Sequence, residues 1–315
     1  MNTEFRRHDL TVDPGLAGLR LDQALARLLP QYSRSRIQGW IERGTVSIDG
    51  RPARARDRVL GGERVVLEGE VPADTAVAPQ PMALRIVHED AALLVIDKPA
   101  GLVVHPGAGN RDRTLQNGLL AHDPQLARVP RAGLVHRLDK DTSGLMVVAR
   151  TIEAHAALVE LLAAREISRE YLAVATGVMT GGGTIDEPIG RHRSVRVKMA
   201  VRPGGRAAVT HYRVVERFRS HTLARVMLET GRTHQIRVHL AHAGFPILGD
   251  PVYGGRRRLP AGASPALLEA LQSFQRQALH AARLGFVHPS SGEALEFEAP
   301  MPADMQALVA ALRAD

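Results

Sequence analysis

The spacing of apolar residues between positions 18 and 68 predicts a small module of two helices followed by a short sheet. The segment GLRLDQALARLLPQ repeats leucine at helical spacing, and SRSRIQGWIERG has the pattern of a second short helix. The alternating segment TVSIDG ends in an Asp-Gly turn, and GGERVVLEG is typical of a closing strand. We expect Ser33 to cap the second helix at its start and Gly44 to follow its end.

Two segments without this periodicity flank the module. Residues 1–17 are predicted to form an N-terminal tail. Residues 69–83, GEVPADTAVAPQPMA, contain three Pro and no basic residue, a composition typical of an extended linker. The pattern therefore predicts a small module at 18–68 and a larger domain at 84–315.

The larger domain contains many short β-rich runs and few helical segments. Strand-like runs are LRIVHED, ALLVIDKPAG, GLVVHP, GLMVVAR, REYLAVATGV, AAVTHYRVVERF, TLARVMLET, ARLGFVHP and ALEFEAP. Helical spacing occurs in TIEAHAALVELLAAREI and near 233–243 and 302–313. Because strands and helices do not alternate strictly, the pattern predicts an α+β fold rather than a doubly wound sheet.

The composition excludes several classes of protein. With 44% hydrophobic residues, the chain can bury a core and is not disordered as a whole. No apolar run approaches about 18 residues and MNTEFRRHDL has no apolar signal core, so we expect a cytoplasmic protein that does not span a membrane. The absence of Cys removes disulfides, thiol nucleophiles, iron–sulfur clusters and Cys-based zinc sites.

The charge balance favours a polyanionic partner. Lys and Arg number 41 against 33 Asp and Glu, a formal net charge of +8, which makes nucleic acid the first candidate. Arginines crowd the small module, as phosphate binding requires, although a solvated Arg-rich surface gives the same pattern. They are Arg34, Arg36, Arg43, Arg51, Arg54, Arg56 and Arg58. Two later basic segments, 191–206 and 256–258, are interpreted as RNA-contacting loops, with solvated loops as the alternative.

The densest polar cluster lies between two apolar runs in GLVHRLDKDTSGLMVVAR, residues 133–150. A loop closed by Gly144 and held by flanking strands would place its polar groups at the wall of a cleft. The string DTSG resembles an aspartic protease signature, but that chemistry needs two carboxylates that share a proton. The only other Asp-Thr pair lies in the predicted linker, so we reject the protease interpretation.

The string HRLDKDTSG closely resembles the central motif of the pseudouridine synthases of the ribosomal large-subunit family. Two further motifs match in order: Arg169-Glu170-Tyr171, and the string LETGRTHQIRVHLAHAGFPILGDPVYG at 228–254. Residues 18–68 resemble the S4 RNA-binding module. The resemblance implies a mixed, mainly antiparallel β-sheet catalytic domain with flanking helices, preceded by a small α/β S4 module.

The resemblance implies conversion of uridine in RNA to pseudouridine, in which the N1–C1′ bond breaks, the base rotates and C5 rejoins C1′. No second substrate takes part, so neither a cofactor nor a metal is expected. By position in the motifs, Asp139 is the reacting carboxylate, Arg237 the cation that keeps it ionised, and Tyr171 the ring that packs on the target base. Attack at C1′, addition to C6 and removal of a C2′ proton all remain open.

The target base must leave its stack before it can react, and we expect Arg137 to fill the gap. Further motif residues are predicted to contact RNA: His136, Lys140, Thr142, Arg169, Arg232 and Gln235. In the S4-like module the candidates are Arg34, Arg36, Arg43, Arg51 and Arg54. Three nearby histidines are interpreted as packing or RNA-facing residues rather than as a metal site: His234, His239 and His242.

The order of modules points to ribosomal RNA as partner, either 23S rRNA or the assembling large subunit. The string PIGRHRSVRVKMAV is most similar to the branch of the family that modifies the loop of helix 69 in 23S rRNA. A synthase for another 23S site or for tRNA is the nearer alternative, and an RNA-binding ribosome-assembly factor is the alternative of another class. A monomer suffices for the predicted site.

Overall fold

The computed structural model describes residues 3–29, 32, 34–72, 77–107, 109–195, 197–255 and 259–315. The contacts divide the chain into two compact units, Met1–Ala78 and Pro79–Asp315. No helix in these described ranges is long and apolar enough to cross a membrane.

The N-terminal unit packs two helices against an antiparallel sheet. Its elements are β1 (Thr3–Thr11), α1 (Leu21–Leu28), α2 (Arg34–Glu42), β2 (Val46–Ile48), β3 (Arg51–Pro52) and β4 (Arg64–Pro72). The strand order is β1-β4-β2-β3. Asp49 and Gly50 join β2 to β3 with φ of 47° and 74°, the two positive values that a tight hairpin turn requires. Trp40 and Leu25 lie in the core of this unit.

The structure corrects two boundaries predicted from the sequence. Residues 1–17 do not form a tail, because Thr3–Thr11 pairs with β4 along its whole length. The segment 69–83 is not one linker, since β4 extends to Pro72 and the Gln80 N–H donates to the Asn117 carbonyl inside the second unit. The first strand escaped detection because it lies at a sheet edge and leaves Phe5 65% exposed, so its alternation is weak. Ser33 and residues 73–76 lie outside the described residues.

The second unit contains a mixed sheet with helices around it. Its first elements are β5 (Ile86–Glu89), β6 (Leu93–Lys98), α3 (Leu115–His122), β7 (Ser143–Ala149), α4 (Ile152–Ala164) and β8 (Ser168–Thr176). Then come β9 (Gly183–Asp186), β10 (Ile189–Arg191), β11 (Met199–Val201), β12 (Val209–Arg217), β13 (His221–Leu228) and α5 (Gln235–His242). The last are α6 (Pro265–Ser273), β14 (Leu279–Val287), β15 (Ala294–Glu298) and α7 (Ala303–Ala314).

The large sheet has the order β5-β6-β7-β14-β8-β13-β12-β9, with β15 added to β14. Its pairs are antiparallel except for β7 with β14, which confirms the predicted α+β fold with a mainly antiparallel sheet. Every residue of β7 is buried, as its continuous apolar run requires. Strands β10 and β11 form a separate hairpin.

One predicted strand is absent from the structure. The run GLVVHP forms a loop, and its Val103 and Val104 carbonyls accept hydrogen bonds from the N–H groups of Leu115 and Gln116. Those donors begin α3 and have no partner within the helix, so the apolar run completes a helix start instead of a sheet. The sequence also gave no prediction of α3 or α6, which are short.

Candidate active site

A cavity of about 390 Å³ opens in the second unit between the loop before β7, strand β8 and the turn into α5. Its polar lining is rich in arginine and also contains three histidines, whose pKa values burial lowers: Arg131, Arg137, Arg169, Arg232 and Arg237, with His105, His136 and His234. Tyr171 lies in the same wall, and Asp139 is the one carboxylate among the described lining residues. Such a cavity attracts an anion while it holds one negative group for chemistry.

The loop that carries Asp139 is fixed at both of its flanks. Gly144 is the second residue of β7 and has φ of 115°, and a Cβ there would lie 2.2 Å from the Ala281 carbonyl oxygen on β14. A side chain would therefore separate these two strands. On the other flank, the buried Lys98 Nζ donates to the carbonyl oxygens of Pro99, Leu102 and Lys140, at 2.8, 2.9 and 3.0 Å. Lys98 thus holds the residue that follows Asp139.

The pKa of Lys98 is lowered to about 7, because burial of its ammonium group outweighs the opposing charges of Asp141 and Asp139. The sequence analysis missed this residue. Its signal was a Lys directly after the buried run LLVID in a chain with only three lysines.

Arg237 connects Asp139 to a second carboxylate. Its Nη1 donates to Asp139 Oδ2 at 3.0 Å, while its Nε and Nη2 donate to the two oxygens of Asp250 at 2.7 and 2.8 Å. Asp250 Oδ1 also accepts the N–H groups of Val252 and Tyr253. The bidentate pair fixes the guanidinium plane, so one N–H remains aimed at Asp139.

Both members of this pair keep their charge in spite of burial. Burial acts to raise the pKa of Asp250, but the hydrogen bonds and charge of Arg237 outweigh it and hold that pKa below its ordinary value. Burial acts to lower the pKa of Arg237, but Asp250 and Asp139 together raise it above its ordinary value. The site therefore contains a permanent cation beside Asp139.

The turn into α5 places Arg237 by means of Gln235. The Gln235 Oε1 accepts the Thr230 hydroxyl and the Arg232 N–H, and its Nε2 donates to the Val209 carbonyl and the Thr210 hydroxyl. Although Gln235 lines the cavity, these four internal contacts use its whole amide. The side chain acts in the free protein as a brace for the helix start.

Tyr171 and Arg169 lie on the same face of β8, two residues apart. Tyr171 is 6% exposed, and burial raises the pKa of its hydroxyl. Arg169 is 8% exposed, and its Nε is buried without a hydrogen-bond partner. A desolvated guanidinium group with an unmatched donor at a cavity wall is suited to an incoming anion.

Two predicted RNA contacts are held internally. His136 Nε2 accepts the Val147 N–H at 3.2 Å, and burial, aided by the charge of Arg169, lowers the pKa of His136 to about 3. The Thr142 hydroxyl accepts the Gln277 amide, and the Thr142 N–H donates to the Asp139 carbonyl. Both residues line the cavity and stabilise the loop around Asp139.

The remaining predicted residues of this unit are exposed. Arg137 lines the cavity, and no ion pair or hydrogen bond of its side chain occurs within the described part of the chain. Arg232 also lines it, with its Nε donating to the Ala207 carbonyl at 3.1 Å. Lys140 is exposed and lies outside the lining, so the structure does not bring it to the other predicted residues.

The predicted RNA-binding arginines of the N-terminal unit differ in their contacts and exposure. Arg34 makes hydrogen bonds of 2.9 and 2.7 Å to the fully buried Asp22, so part of its function is to hold α1 and α2 together. Arg43, Arg51 and Arg54 are exposed on this unit, and Arg36 is half-buried.

The three nearby histidines separate in the structure. His234 lines the cavity, His242 is exposed, and His239 is buried between the Thr210 hydroxyl and the Glu187 carbonyl. The basic segment 191–206 includes the β10–β11 hairpin, whose Arg196 lies outside the described residues, as do Arg256–Arg258.

Sequence reasoning also missed Asp250 and Tyr253, which support Arg237 and His234. Their signal was the string GDPVYG, in which an Asp side chain can accept hydrogen bonds from the backbone N–H groups that follow it.

The chain is similar to known proteins over most of its length. A family model described as RNA pseudouridylate synthase matches residues 92–242, and an S4 domain model matches residues 19–65. The chain is 58% identical to the ribosomal large subunit pseudouridine synthase D of Xanthomonas campestris, over 96% of this chain and 92% of that protein. It is 57% identical to the protein of the same name from Pseudomonas aeruginosa, over 95% and 94% of the two chains. The solved structure of human RNA pseudouridylate synthase domain containing 4 is similar with a TM-score of 0.57 and 31% identity, over 73% of this chain and 93% of that one.

Proposed function

Since the chain belongs to the RNA pseudouridylate synthase family, we propose that it converts uridine to pseudouridine in 23S ribosomal RNA, at the loop of helix 69. The bacterial relatives named for the large ribosomal subunit support the ribosomal substrate. The basic hairpin segment PIGRHRSVRVKMAV supports the helix 69 loop in particular. We also propose that the protein works in the cytoplasm. It acts as a monomer, because one chain supplies every group used below.

The observation that carries the proposal is the Arg237 hydrogen bond to Asp139 inside a cationic cavity. Asp139 is the reacting carboxylate, and each route left open for the reaction requires it to be ionised. Arg237 supplies the neighbouring charge that offsets the desolvation of that carboxylate when RNA fills the cavity. Asp250 keeps Arg237 in place.

The bond changes balance without a second substrate. The N1–C1′ bond breaks, the base rotates within the cavity, and the C5–C1′ bond forms. The C5 proton then leaves and N1 gains a proton, so that the product is an isomer of the substrate. Tyr171 packs against the base, and its buried hydroxyl oxygen is the candidate group to remove the C5 proton.

Uridine reaches the cavity after it leaves its stack in the RNA. Arg137 is exposed and unpaired among the described residues at the cavity wall, where a planar guanidinium group can occupy the vacated place. Arg169 and Arg232 supply positive charge for the phosphates that accompany the base. On the S4 unit, the exposed Arg43, Arg51 and Arg54 supply positive charge for phosphate binding of their own.

A pseudouridine map of 23S rRNA and tRNA tests the proposal in cells that lack the gene. Wild-type protein, Asp139→Asn and the exposed control Asp186→Asn are restored separately. We expect loss of pseudouridine in the helix 69 loop, with rescue by wild type and by Asp186→Asn only. Loss at other uridines would contradict the helix 69 target, and an unchanged map would favour an RNA-binding assembly factor.

A further inference from the structure

Two hydrogen bonds and one longer contact lead from the β10–β11 hairpin to the proposed reacting carboxylate. The Met199 N–H on β11 donates to the Tyr253 hydroxyl oxygen at 2.8 Å, and the same oxygen lies 2.8 Å from His234 Nδ1. On the other side of the imidazole ring, His234 Nε2 lies 3.9 Å from Asp139 Oδ1. Arg237, which binds the other oxygen of Asp139, packs over the Tyr253 ring at 5.1 Å.

These contacts favour one tautomer of His234. The Tyr253 oxygen accepts the Met199 N–H, so its own O–H is available to donate to His234 Nδ1. Burial lowers the pKa of His234, and the charges of Arg237 and Arg137 add to this against the opposing charge of Asp139. A neutral imidazole that accepts at Nδ1 carries its proton at Nε2, which is the nitrogen that faces Asp139.

Within the part of the chain that the structure describes, only one oxygen of Asp139 accepts a side-chain hydrogen bond, so the other oxygen needs such a donor. Arg237 binds Oδ2, and a single hydrogen bond permits the carboxylate to rotate about that contact. The distance of 3.9 Å from His234 Nε2 to Oδ1 exceeds a hydrogen bond by about 1 Å. Catalytic hydrogen bonds are often long in free enzymes and shorten when substrate enters.

We propose that His234 is a positioning residue whose Nε2–H holds the free oxygen of Asp139 in the reactive orientation, and that Tyr253 selects the required tautomer. The inference rests on the proposed role of Asp139. His234 also packs against the Tyr253 ring, with 5.6 Å between the ring centroids. The proposal gives this histidine a function in addition to that packing. It also connects the basic hairpin to the chemistry, since Met199 belongs to that hairpin.

Two substitutions separate positioning from packing. In His234→Gln the side-chain amide nitrogen can take the place of Nε2 and donate to Asp139, whereas in His234→Asn the polar atoms end near Nδ1. Position 234 has φ of 58°, a conformation that Asn adopts readily, so His234→Asn carries no added backbone strain. Tyr253→Phe keeps the ring and removes the donor to Nδ1.

The full-length variants are assayed in single turnover on total RNA from cells that lack the gene, so that the result does not depend on the target uridine. We expect His234→Asn to lower the rate about 100-fold and Tyr253→Phe about tenfold, with RNA affinity and melting temperature close to wild type. His234→Gln should recover most of the rate. In ¹⁵N spectra of histidine-labelled protein, the His234 proton should lie on Nε2 in wild type and move partly to Nδ1 in Tyr253→Phe.

A full rate in His234→Asn, equal losses in the Asn and Gln variants, or a proton on Nδ1 in wild type would overturn the proposal. Asp139→Asn is measured beside them to separate the two claims. If Asp139→Asn remains active, the proposed role of Asp139 fails first, and the positioning role fails with it. If Asp139→Asn is inactive while His234→Asn is not, only the positioning role is refuted.

Discussion

Asp250→Asn is the substitution whose effect the structure defines most sharply. Asp250 is fully buried, and its two oxygens accept both Arg237 donors and two backbone N–H groups. An Asn side chain can keep its oxygen on the backbone N–H groups, but its NH₂ group then faces Arg237 Nε as a second donor. Arg237 therefore loses its bidentate partner while it remains buried.

The expected cost follows from this loss. Breaking a buried ion pair by removal of one partner lowers the free energy of unfolding by about 3–5 kcal/mol. The rate of pseudouridine formation should fall about 100-fold as well, because the guanidinium group that binds Asp139 is no longer held in its plane. RNA affinity should change little, since Asp250 does not line the cavity.

Asp304→Asn is the matched control. Asp304 also binds an arginine through two hydrogen bonds, from Arg276 at 2.7 and 2.8 Å, but its side chain is 49% exposed. Arg276 is only 12% exposed, but because the carboxylate of Asp304 reaches solvent, loss of this pair should cost about 1 kcal/mol, less than loss of the buried pair. Urea unfolding and single-turnover kinetics of the two variants give the comparison. Equal losses of stability, or a wild-type rate in Asp250→Asn, would refute the reasoning.

Three further predictions address other parts of the account. The pKa of Lys98 is about 7 in the folded protein, well below its unfolded value. Wild type should therefore gain stability relative to Lys98→Met as pH rises from about 7 towards 10, by up to about 1.4 kcal/mol per pH unit in urea unfolding. A stability difference that does not change with pH would contradict burial of the ammonium group. Arg137→Ala should slow single turnover while the free energy of unfolding stays within about 0.5 kcal/mol of wild type, and an unchanged rate would exclude it from base flipping. Alanine at each exposed arginine of the N-terminal unit should lower the slope of RNA affinity against salt concentration by about one counterion. Arg34→Ala should also destabilise that unit, because it leaves the buried Asp22 without this partner. An unaltered slope in all of these variants would show that the RNA binds elsewhere.

Strands with strong local patterns could be predicted from the sequence. Strand β6 begins with the apolar run LLVI and β7 contains the run GLMVVA, and both runs are buried in the large sheet as their composition requires. The run GLVVHP has a similar composition but completes the start of α3, because Gly and Pro bound a segment too short to pair. Local composition alone does not tell which part of the chain forms hydrogen bonds with the backbone of such a run.

The site was predictable only as far as its motifs extend. Asp139 precedes β7 and Arg237 follows β13, so their hydrogen bond across 98 positions depends on the strand order β7-β14-β8-β13, which includes the sheet's parallel pair. Lys98 and Asp250 act through buried hydrogen bonds to the loop and to Arg237. Their sequence signals, a rare Lys after an apolar run and the string GDPVYG, do not tell which partner each residue binds after folding. The motifs indicated the proposed reacting groups, while the structure was needed to find the residues that hold them.

The central claim is that Asp139, held by Arg237, performs the reaction. Single-turnover formation of pseudouridine and RNA affinity, measured for Asp139→Asn and for the exposed control Asp186→Asn on the same RNA, test it most directly. We expect Asp139→Asn to form no pseudouridine and to bind the RNA as tightly as wild type, while Asp186→Asn matches wild type in both. Pseudouridine formation by Asp139→Asn at a rate near that of the control would show that the Asp139 carboxylate is not the reacting group.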